Sequence, residues 1–151
     1  MATADRFDPY RTYHFDVVVE GMLVGGFSEV TGISARREMV EYRNGNAVTS
    51  FASKLPCRDA VDDVTLRRGY TLDNKLWAWH GALSAGSPDR RNVAITLKDE
   101  ARKPVLTWEL EAAWILSLMG PSFNALANEV GIEEMKLACE AIHLVVEGAP
   151  A

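Results

Sequence analysis

Histidine and cysteine are the side chains of this sequence best suited to metal binding or nucleophilic catalysis, but their spacing fits neither. The residues are His14, Cys57, His80, Cys139 and His143. No pair has the C-x-x-C or H-E-x-x-H spacing of zinc sites, and no serine lies in a G-x-S-x-G nucleophile elbow. Each histidine is therefore interpreted as a surface or hydrogen-bonded structural side chain. The sequence predicts no enzyme, no cofactor and no metal site.

Two pairs of adjacent carboxylates are the remaining candidates for acid–base chemistry. They are Asp62-Asp63 and Glu133-Glu134. Adjacent residues of a strand point to opposite faces of the sheet, so on strands neither pair can converge on one substrate. These carboxylates are expected to contribute to solubility and to the charge of an interface.

Composition and charge limit the remaining classes. The 151 residues carry a formal net charge of -5, with 48% hydrophobic and 25% charged side chains. We expect residues 1–151 to form one domain. The arginine pairs are dispersed among acidic residues, which argues against recognition of nucleic acid. The sequence shows neither a signal-peptide pattern nor a stretch of roughly 20 apolar residues, so we do not expect stable membrane insertion. We expect synthesis in the cytoplasm, where the two cysteines would be reduced thiols.

The elements that carry these residues are mostly strands by their alternation. "YHFDVVVEG" and "VDDVTLRRG" each predict a strand. "RRNVAITLKDEARKPVLTWELEAAW" predicts an antiparallel hairpin that closes at the charged turn "KDEARK". In its second strand, apolar residues alternate with Glu109 and Glu111, so one face is apolar and the other is acidic.

One helix is predicted at about residues 72–85. Thr71 or Asp73 can cap its start, and Gly86 with Pro88 ends it. Trp77 and Trp79 cannot both lie on its narrow apolar stripe. One of them is expected to contact a neighbouring loop or subunit, with packing of both in the core as the alternative.

The stretch "VTGISARREMVEYRNGN", residues 30–46, raises the main question. Its first part alternates as one strand, but both faces mix apolar and charged residues. A strand normally buries one apolar face, so this one is expected to contact something besides its own core. The following "YRNGNAVTSFASKLPC" carries the turn residues Asn44, Gly45 and Asn46 and predicts a long projecting loop or loose hairpin.

The last third is ambiguous from residue preferences alone. "GPSFNALANEVGIEEMKLACEAIHLVVEG" favours helix by propensity, while its end "AIHLVVE" favours strand. Both interpretations stay open at this point.

An ordered set of segments resembles the inner tube proteins of contractile phage tails and of related phage-tail-like injection systems. The segments are "DPYRTYHFDVVVEG", "GGFSEVTGIS", "EYRNG", "KLP", "VTLRRG", "LWAW", "RRNVAITLKDE", "PVLTWELEAAW" and "GPSFNALANEVGIEEMKLACEAIHL". They cover nearly the whole chain in family order. No single segment is decisive, but the ordered set is specific.

The resemblance implies a mainly β fold, an antiparallel β-sandwich or split barrel with one helix, shared with the ring protein of type VI secretion. It also implies that the last third is largely strand. Hexameric rings would stack into a hollow tube inside a contractile sheath, on a baseplate with initiator tube proteins. Sheath contraction would drive the tube through a target envelope, with cargo effectors in the lumen, after assembly in the cytoplasm.

In such an assembly the mixed strand would face the lumen, and the projecting loop would contact a neighbouring subunit or ring. The lumen candidates are Arg36, Glu38, Glu109 and Glu111. The candidates for contacts between subunits or rings are Tyr42, Arg43, Asn44, Gly45, Asn46, Phe51 and Lys54.

Three departures from the family pattern affect loops and surfaces. Cys57 follows "KLP" where relatives often have Gly, and the turn "DEARKPV" lacks the Gly often found there. "AWILSLMGP" is apolar where relatives commonly carry Pro and Lys. That segment either contacts another subunit or the sheath, or packs in the core.

Two other functions remain as alternatives. One is a freely secreted hexameric ring that binds and carries effectors, and the other is a small β-barrel that binds a ligand in an internal apolar pocket. The sequence does not distinguish phage from injection system, main tube from initiating ring, or one cargo from another.

Overall fold

The fold is built from nine strands and one helix within the residues that the structure describes. The computed structural model describes residues 14–22, 26–46, 48, 51–69, 74–84, 86, 89–126 and 131–146. The strands are β1 Phe15–Val19, β2 Glu29–Thr31, β3 Arg36–Tyr42, β4 Ser53–Ala60, β5 Val64–Gly69, β6 Arg91–Lys98, β7 Pro104–Met119, β8 Ile132–Ala138 and β9 Ala141–Val146. The helix, α1, spans Lys75–Ser84.

Seven strands form one antiparallel sheet in the order β1-β6-β7-β8-β5-β2, with β9 also paired to β7. The 16-residue β7 belongs to both halves of this sheet. Its first part pairs with β6 and β9, and its last part, from Trp114 to Met119, pairs with β8. Inward side chains of both halves join one core cluster: Val17, Val19, Val64, Leu66, Leu76, Trp79, Val93, Ile95, Leu110, Ala113, Ile115, Met135 and Leu137. The predicted fold, mainly β and antiparallel with one helix, is confirmed.

A bulge lies at the point where β7 passes from one half to the other. Pairing with β6 shifts between Arg91↔Ala113 and Val93↔Leu110, so two residues of β7 oppose Asn92. Ala112 adopts a left-handed φ of 53° there, and its N–H donates to the side-chain oxygen of Asn92 at 3.1 Å. Bulges bend a strand, and this one allows β7 to serve both halves.

The predicted hairpin of β6 and β7 is present, with its turn at residues 99–103. Arg102 closes that turn with a φ of 62°. Glycine adopts this conformation at the lowest cost, so the missing family glycine is replaced here by a residue in a conformation rare for side chains.

The predicted strand of alternating residues 33–42 is present, but it is shorter than the alternation indicates. β2 ends at Thr31 and β3 begins at Arg36. Gly32 between them has a φ of 89°, and a Cβ on it would lie 2.5 Å from the carbonyl oxygen of Asp63. Gly32 therefore separates the short strand β2 from the segment that leads into β3.

The predicted helix is confirmed over Lys75–Ser84, and its proposed capping residues lie outside the described residues. Trp79 is buried and donates its indole N–H to the backbone oxygen of Asp89 at 2.6 Å. Trp77 is 43% exposed. As expected, the two tryptophans do not share one environment.

Residues 132–138 and 141–146 in the last third form strands. The family resemblance implied this, whereas helix propensity favoured a helix. β8 pairs with both β5 and β7, and β9 pairs with β7. Burial explains the outcome, because Met135 and Leu137 alternate into the core. No helix in the described residues has the length and apolar character needed to cross a membrane.

Candidate assembly surface

β3 and β4 form a separate two-stranded hairpin that does not contribute to the core of the main sheet. Every residue of β3 is exposed, and so is every residue of β4 except the half-buried Ala60. Among the described elements, no other strand packs extensively against either of them. An isolated two-stranded hairpin is marginally stable in water, so this one needs support from beyond the described residues.

The two faces of the hairpin differ in chemistry. Val40 opposes Leu55 on one face, and Tyr42 opposes Ser53 there. The other face carries Met39 opposite Pro56, and Glu41 opposite Lys54. We call the Val40, Tyr42 and Leu55 side the apolar face, and these three side chains are 49–58% exposed.

Ion pairs hold the base of the hairpin. The guanidinium of Arg37 donates to Asp59 across the strands at 2.5 Å, and Arg36 lies 3.3 Å from Asp62. Ser34 also donates to Asp62, at 2.9 Å. The hydrogen bond from Arg37 and its positive charge lower the pKa of Asp59. The same hydrogen bond and the negative charge of Asp59 raise the pKa of Arg37. Both partners of this pair are largely in water, so each pair contributes little free energy.

The structure places the predicted contact residues together at the far end of this hairpin. Tyr42 ends β3, Lys54 lies in β4, and Phe51, just before β4, is 83% exposed. The turn between the strands contains Arg43, Asn44, Gly45 and Asn46, all exposed. The projecting segment is thus a hairpin, one of the two predicted forms, and its second strand begins at Ser53. Residues 47, 49 and 50 of the predicted loop lie outside the described residues.

Two of the predicted lumen residues lie on the outer face of β7. Glu109 is paired in register with His143 of β9, and the imidazole Nε2 of His143 lies 3.1 Å from a carboxylate oxygen of Glu111. With Val18 and Glu20, these residues line a hollow of ≈ 540 Å³. This surface is acidic and open to water.

The other two lumen candidates lie on β3. Arg36 lines a second hollow of ≈ 460 Å³ together with Arg37, Ile142 and His143. His143 therefore borders both hollows, and the structure brings Arg36, Glu109 and Glu111 onto neighbouring surfaces. Glu38 is exposed but lines neither hollow.

Sequence reasoning missed the exposed strand β9. Leu144, Val145 and Val146 are 55%, 39% and 52% exposed, although they follow one another in a strand with no charge. β9 pairs only with β7 among the described strands, so its other edge is open. Consecutive apolar residues on both faces of a terminal strand were the available signal.

The apolar segment "ILSLM" divides between the two roles considered for it. Ile115 is buried in the core, Leu118 is half-buried, and Leu116 and Met119 are 45% and 59% exposed. Pairing with β8 shifts register between Ile115 and Ser117, so Ile115 and Leu118 lie opposite the inward Leu137 and Met135, and Met119 lies opposite the outward Glu134.

A buried ion pair was also missed. The guanidinium of Arg68 donates to Glu133 at 2.9 Å, and the two side chains are 1% and 2% exposed. The ring of Phe27 lies 5.7 Å from the guanidinium carbon. The available signal was the alternation along β5, since Arg68 continues the inward series of Val64 and Leu66. As expected, neighbouring Glu134 faces outward, where it binds Arg67 at 3.0 Å.

Cysteine and metal chemistry have little support in the described part of the chain. Cys57 is exposed on β4, and Cys139 is half-buried. Burial, with a contribution from Asp63, raises the pKa of the Cys139 thiol. No group of three or more His, Cys, Asp or Glu side chains in the described ranges is arranged to hold a metal ion.

The chain has relatives of known structure. It is similar to the tube terminating cap of the anti-feeding prophage (24% identity over 97% of this chain and 96% of that chain, TM-score 0.85). It is also similar to a chain of the PVC sheath-tube complex, from an extracellular contractile injection system in the extended state (25% identity, 91% and 92% covered, TM-score 0.81). Hcp1 from Flavobacterium johnsoniae shares the fold at 9% identity (87% and 94% covered, TM-score 0.54).

A comparison with curated protein sequences finds no match. A family model, however, matches residues 11–143, and that family is described as the T4-like virus tail tube protein gp19. The match spans most of the sequence and agrees with the resemblance noted from its segments. The chain therefore belongs to the T4-like virus tail tube protein gp19 family.

Proposed function

We propose that this protein is the structural subunit of the inner tube of a contractile injection particle. Copies associate into hexameric rings, and the rings stack into a hollow tube. Membership of the tail tube family supports this role, as does the likeness to a chain of a sheath-tube complex. The same findings favour a tube within a particle over a freely secreted ring.

The observation that carries the proposal is the hairpin of β3 and β4. It presents apolar side chains to water on a strand pair that its own core does not support. Contiguous exposed apolar surface on a projecting element is typical of an interface. In the proposed tube a neighbouring subunit or ring covers it, and the tip with Tyr42, Arg43, Asn44, Gly45, Asn46, Phe51 and Lys54 makes part of that contact.

The lumen is proposed to be lined by charged residues of β3 and β7. The candidates Arg36, Glu38, Glu109 and Glu111 are all exposed. A barrel drawn from several subunits is wide enough to hold water, since barrels of about 16 to 18 strands already do. Cargo effectors would pass over this polar surface.

The proposed partners outside the tube are a sheath protein and the tube proteins of a baseplate. Sheath contraction would drive the rigid tube through a target envelope, and the subunit itself would act mechanically, without a catalytic reaction. Residues 1–151 would form one domain, made and assembled in the cytoplasm.

Negative-stain electron microscopy over a concentration series tests the proposal. We expect six-fold rings or hollow stacks from the purified protein. A variant lacking residues 47–52 keeps β3, β4 and residues 43–46 but shortens the tip and removes Phe51, so it is expected to keep the circular dichroism spectrum of the parent and to lose stacks. A variant with Lys103→Ala, in the turn far along the chain, serves as the matched surface control and should still assemble.

Two results would contradict the proposal. One is a protein that stays monomeric at the highest concentration reached, and the other is a tip deletion that assembles as the parent does. Loss of the circular dichroism spectrum in the deletion variant would show instead that the tip is part of the folded core.

A further inference from the structure

Asn44, in the turn of the β3–β4 hairpin, is the only asparagine of the sequence that is followed by glycine. Asn44 and Gly45 are both exposed. The backbone N–H of Asn46 donates to Oδ1 of Asn44 at 3.5 Å. The small ring closed by this contact contains the side-chain carbonyl carbon of Asn44 and the backbone nitrogen of Gly45. An electrophilic carbon and a backbone nitrogen are thus held close together in water.

The shape of this turn does not require glycine at position 45. Gly45 has no left-handed φ, and a Cβ added to it would meet no atom of the described residues within 4 Å. What glycine provides is a backbone nitrogen that no side chain shields and a backbone that rotates more freely than that of other residues. Both properties favour attack by this nitrogen on the side chain before it.

Asn124 provides a matched comparison within the same chain. It is exposed, and its Oδ1 accepts a hydrogen bond from the backbone N–H of Leu126 at 3.0 Å. This contact again joins residues two apart, as between Asn44 and Asn46. The residue after Asn124 is Ala125. The two sites therefore differ chiefly in the residue that supplies the attacking nitrogen.

We propose that Asn44 is a site of spontaneous deamidation, and that a subunit modified there no longer joins a tube. The first half depends on the turn alone. The second half rests on the proposed function, in which this turn is part of the contact between subunits or rings.

The reaction needs only water and base. The backbone nitrogen of Gly45 loses its proton to base and attacks the side-chain carbonyl carbon of Asn44. A C–N bond forms, the C–N bond of the side-chain amide breaks, and the amide nitrogen leaves as ammonia. Water then opens the resulting succinimide at either carbonyl carbon, which gives an aspartate or an isoaspartate. Nothing is oxidised or reduced.

Either product changes the turn that the proposed contact uses. Both products carry a negative charge that asparagine lacks, and isoaspartate also adds an atom to the backbone between β3 and β4. A turn held against a neighbouring copy loses the backbone rotation that the attack requires. The free subunit should therefore be modified faster than the assembled one, so deamidation limits the time during which a free subunit remains able to assemble.

Peptide mapping by mass spectrometry tests the site in the full chain, incubated in mildly alkaline buffer below the concentration at which it assembles. We expect Asn44 to be deamidated at least about tenfold faster than Asn124, since only Asn44 precedes glycine. Gly45→Ala and Ala125→Gly exchange the two neighbours. The first should slow the reaction at Asn44, and the second should accelerate it at Asn124, each by at least about tenfold.

Equal rates at the two asparagines overturn the proposed site, and so does an Asn44 rate that Gly45→Ala leaves unchanged. Circular dichroism checks that both variants fold. The mapping does not depend on assembly, so its outcome stands whether or not the chain forms tubes.

Electron microscopy of fresh and aged subunits tests the consequence. Fresh Gly45→Ala should assemble as the fresh parent does. After equal incubation the parent should lose tubes in proportion to its deamidated fraction, whereas Gly45→Ala should keep them, and tubes grown from the aged parent should contain chiefly unmodified Asn44. Deamidated subunits that enter tubes as readily as unmodified ones overturn the effect on assembly and leave the tube function standing. A fresh parent that never associates contradicts the proposed function, and the effect on assembly with it.

Discussion

Arg68 and Glu133 show how the core of this protein tolerates charge. Each is at most 2% exposed, and they face each other across β5 and β8 at 2.9 Å. Burying two charges costs several kcal/mol per ion, and their attraction offsets this only while both partners stay in place. The pair therefore fixes the register of β5 against β8 more than it adds free energy of folding.

We predict that Glu133→Gln lowers the free energy of unfolding, by at most about 3 to 5 kcal/mol, because it removes the carboxylate that binds the buried guanidinium of Arg68 at 2.9 Å. The double variant Arg68→Met with Glu133→Leu should be much closer to the parent. Urea unfolding of the monomer measures both. Additive losses in the double variant would contradict this account, and Glu134→Gln, on the outer face, is the control expected to change little.

At this scale the sequence revealed part of the site. The letters placed Glu109 and Glu111 on one face of a strand, and the structure keeps them there. The sequence did not show that Arg68 is buried, because charged residues are rarely buried and its place in the alternation of β5 does not outweigh that expectation. It also did not reveal the partner of His143, since Glu111 is 32 residues away in sequence.

The β3–β4 hairpin contains an exposed ion pair whose small contribution to stability depends on pH. Arg37 lowers the pKa of Asp59 below its ordinary value of 3.8. A carboxyl group whose pKa is lowered in the folded state stabilises that state above its unfolded pKa, and the contribution is lost as the pH falls through the folded pKa. The base of the hairpin should therefore loosen below about pH 4.

We predict that the methyl resonances of Val40 and Met39 move toward disordered values as the pH falls below 3.8, the ordinary pKa of Asp59. In Asp59→Asn this transition should be weaker, and the hairpin should already be looser at neutral pH. Asp16→Asn, which removes a carboxylate outside the hairpin, should leave the transition unchanged. An identical transition in Asp59→Asn and parent would show that another group controls the hairpin.

Element prediction succeeded where the period was clear and failed where a single residue broke it. Alternation identified β6 and the start of β7, but it did not reveal the left-handed Ala112 that bends β7. Alternation over residues 33–42 did not reveal that β3 begins only at Arg36. For β8, pairing in a sheet overrode helix propensity, and the family resemblance indicated this beforehand, whereas residue preferences already favoured a strand for β9.

The whole molecule presents its two thiols differently. Cys57 is exposed on the hairpin, and Cys139 is half-buried with a raised thiol pKa. The thiolate is the reactive form, so at mildly alkaline pH Cys139 should react more slowly than Cys57 in the free subunit. Assembly should change this order if the hairpin becomes covered.

We predict that alkylation of Cys57 by iodoacetamide is at least about tenfold slower in assembled tubes than in the free subunit, because the hairpin is buried between copies. Mass spectrometry of timed samples follows each thiol separately. The variant Cys57→Ser gives the rate of Cys139 alone in both states. An unchanged Cys57 rate on assembly would place this strand on the outside of the contact.

The 16 residues of β7 have a mechanical consequence. A strand of that length extends over roughly 50 Å, and here it is hydrogen-bonded to β6, β9 and β8 in turn. A force along β7 shears these ladders together, so many bonds must fail at the same moment rather than one after another. A thrust delivered to one end of β7 is then passed across the bend at Ala112, from one half of the sheet to the other, through a single covalent segment.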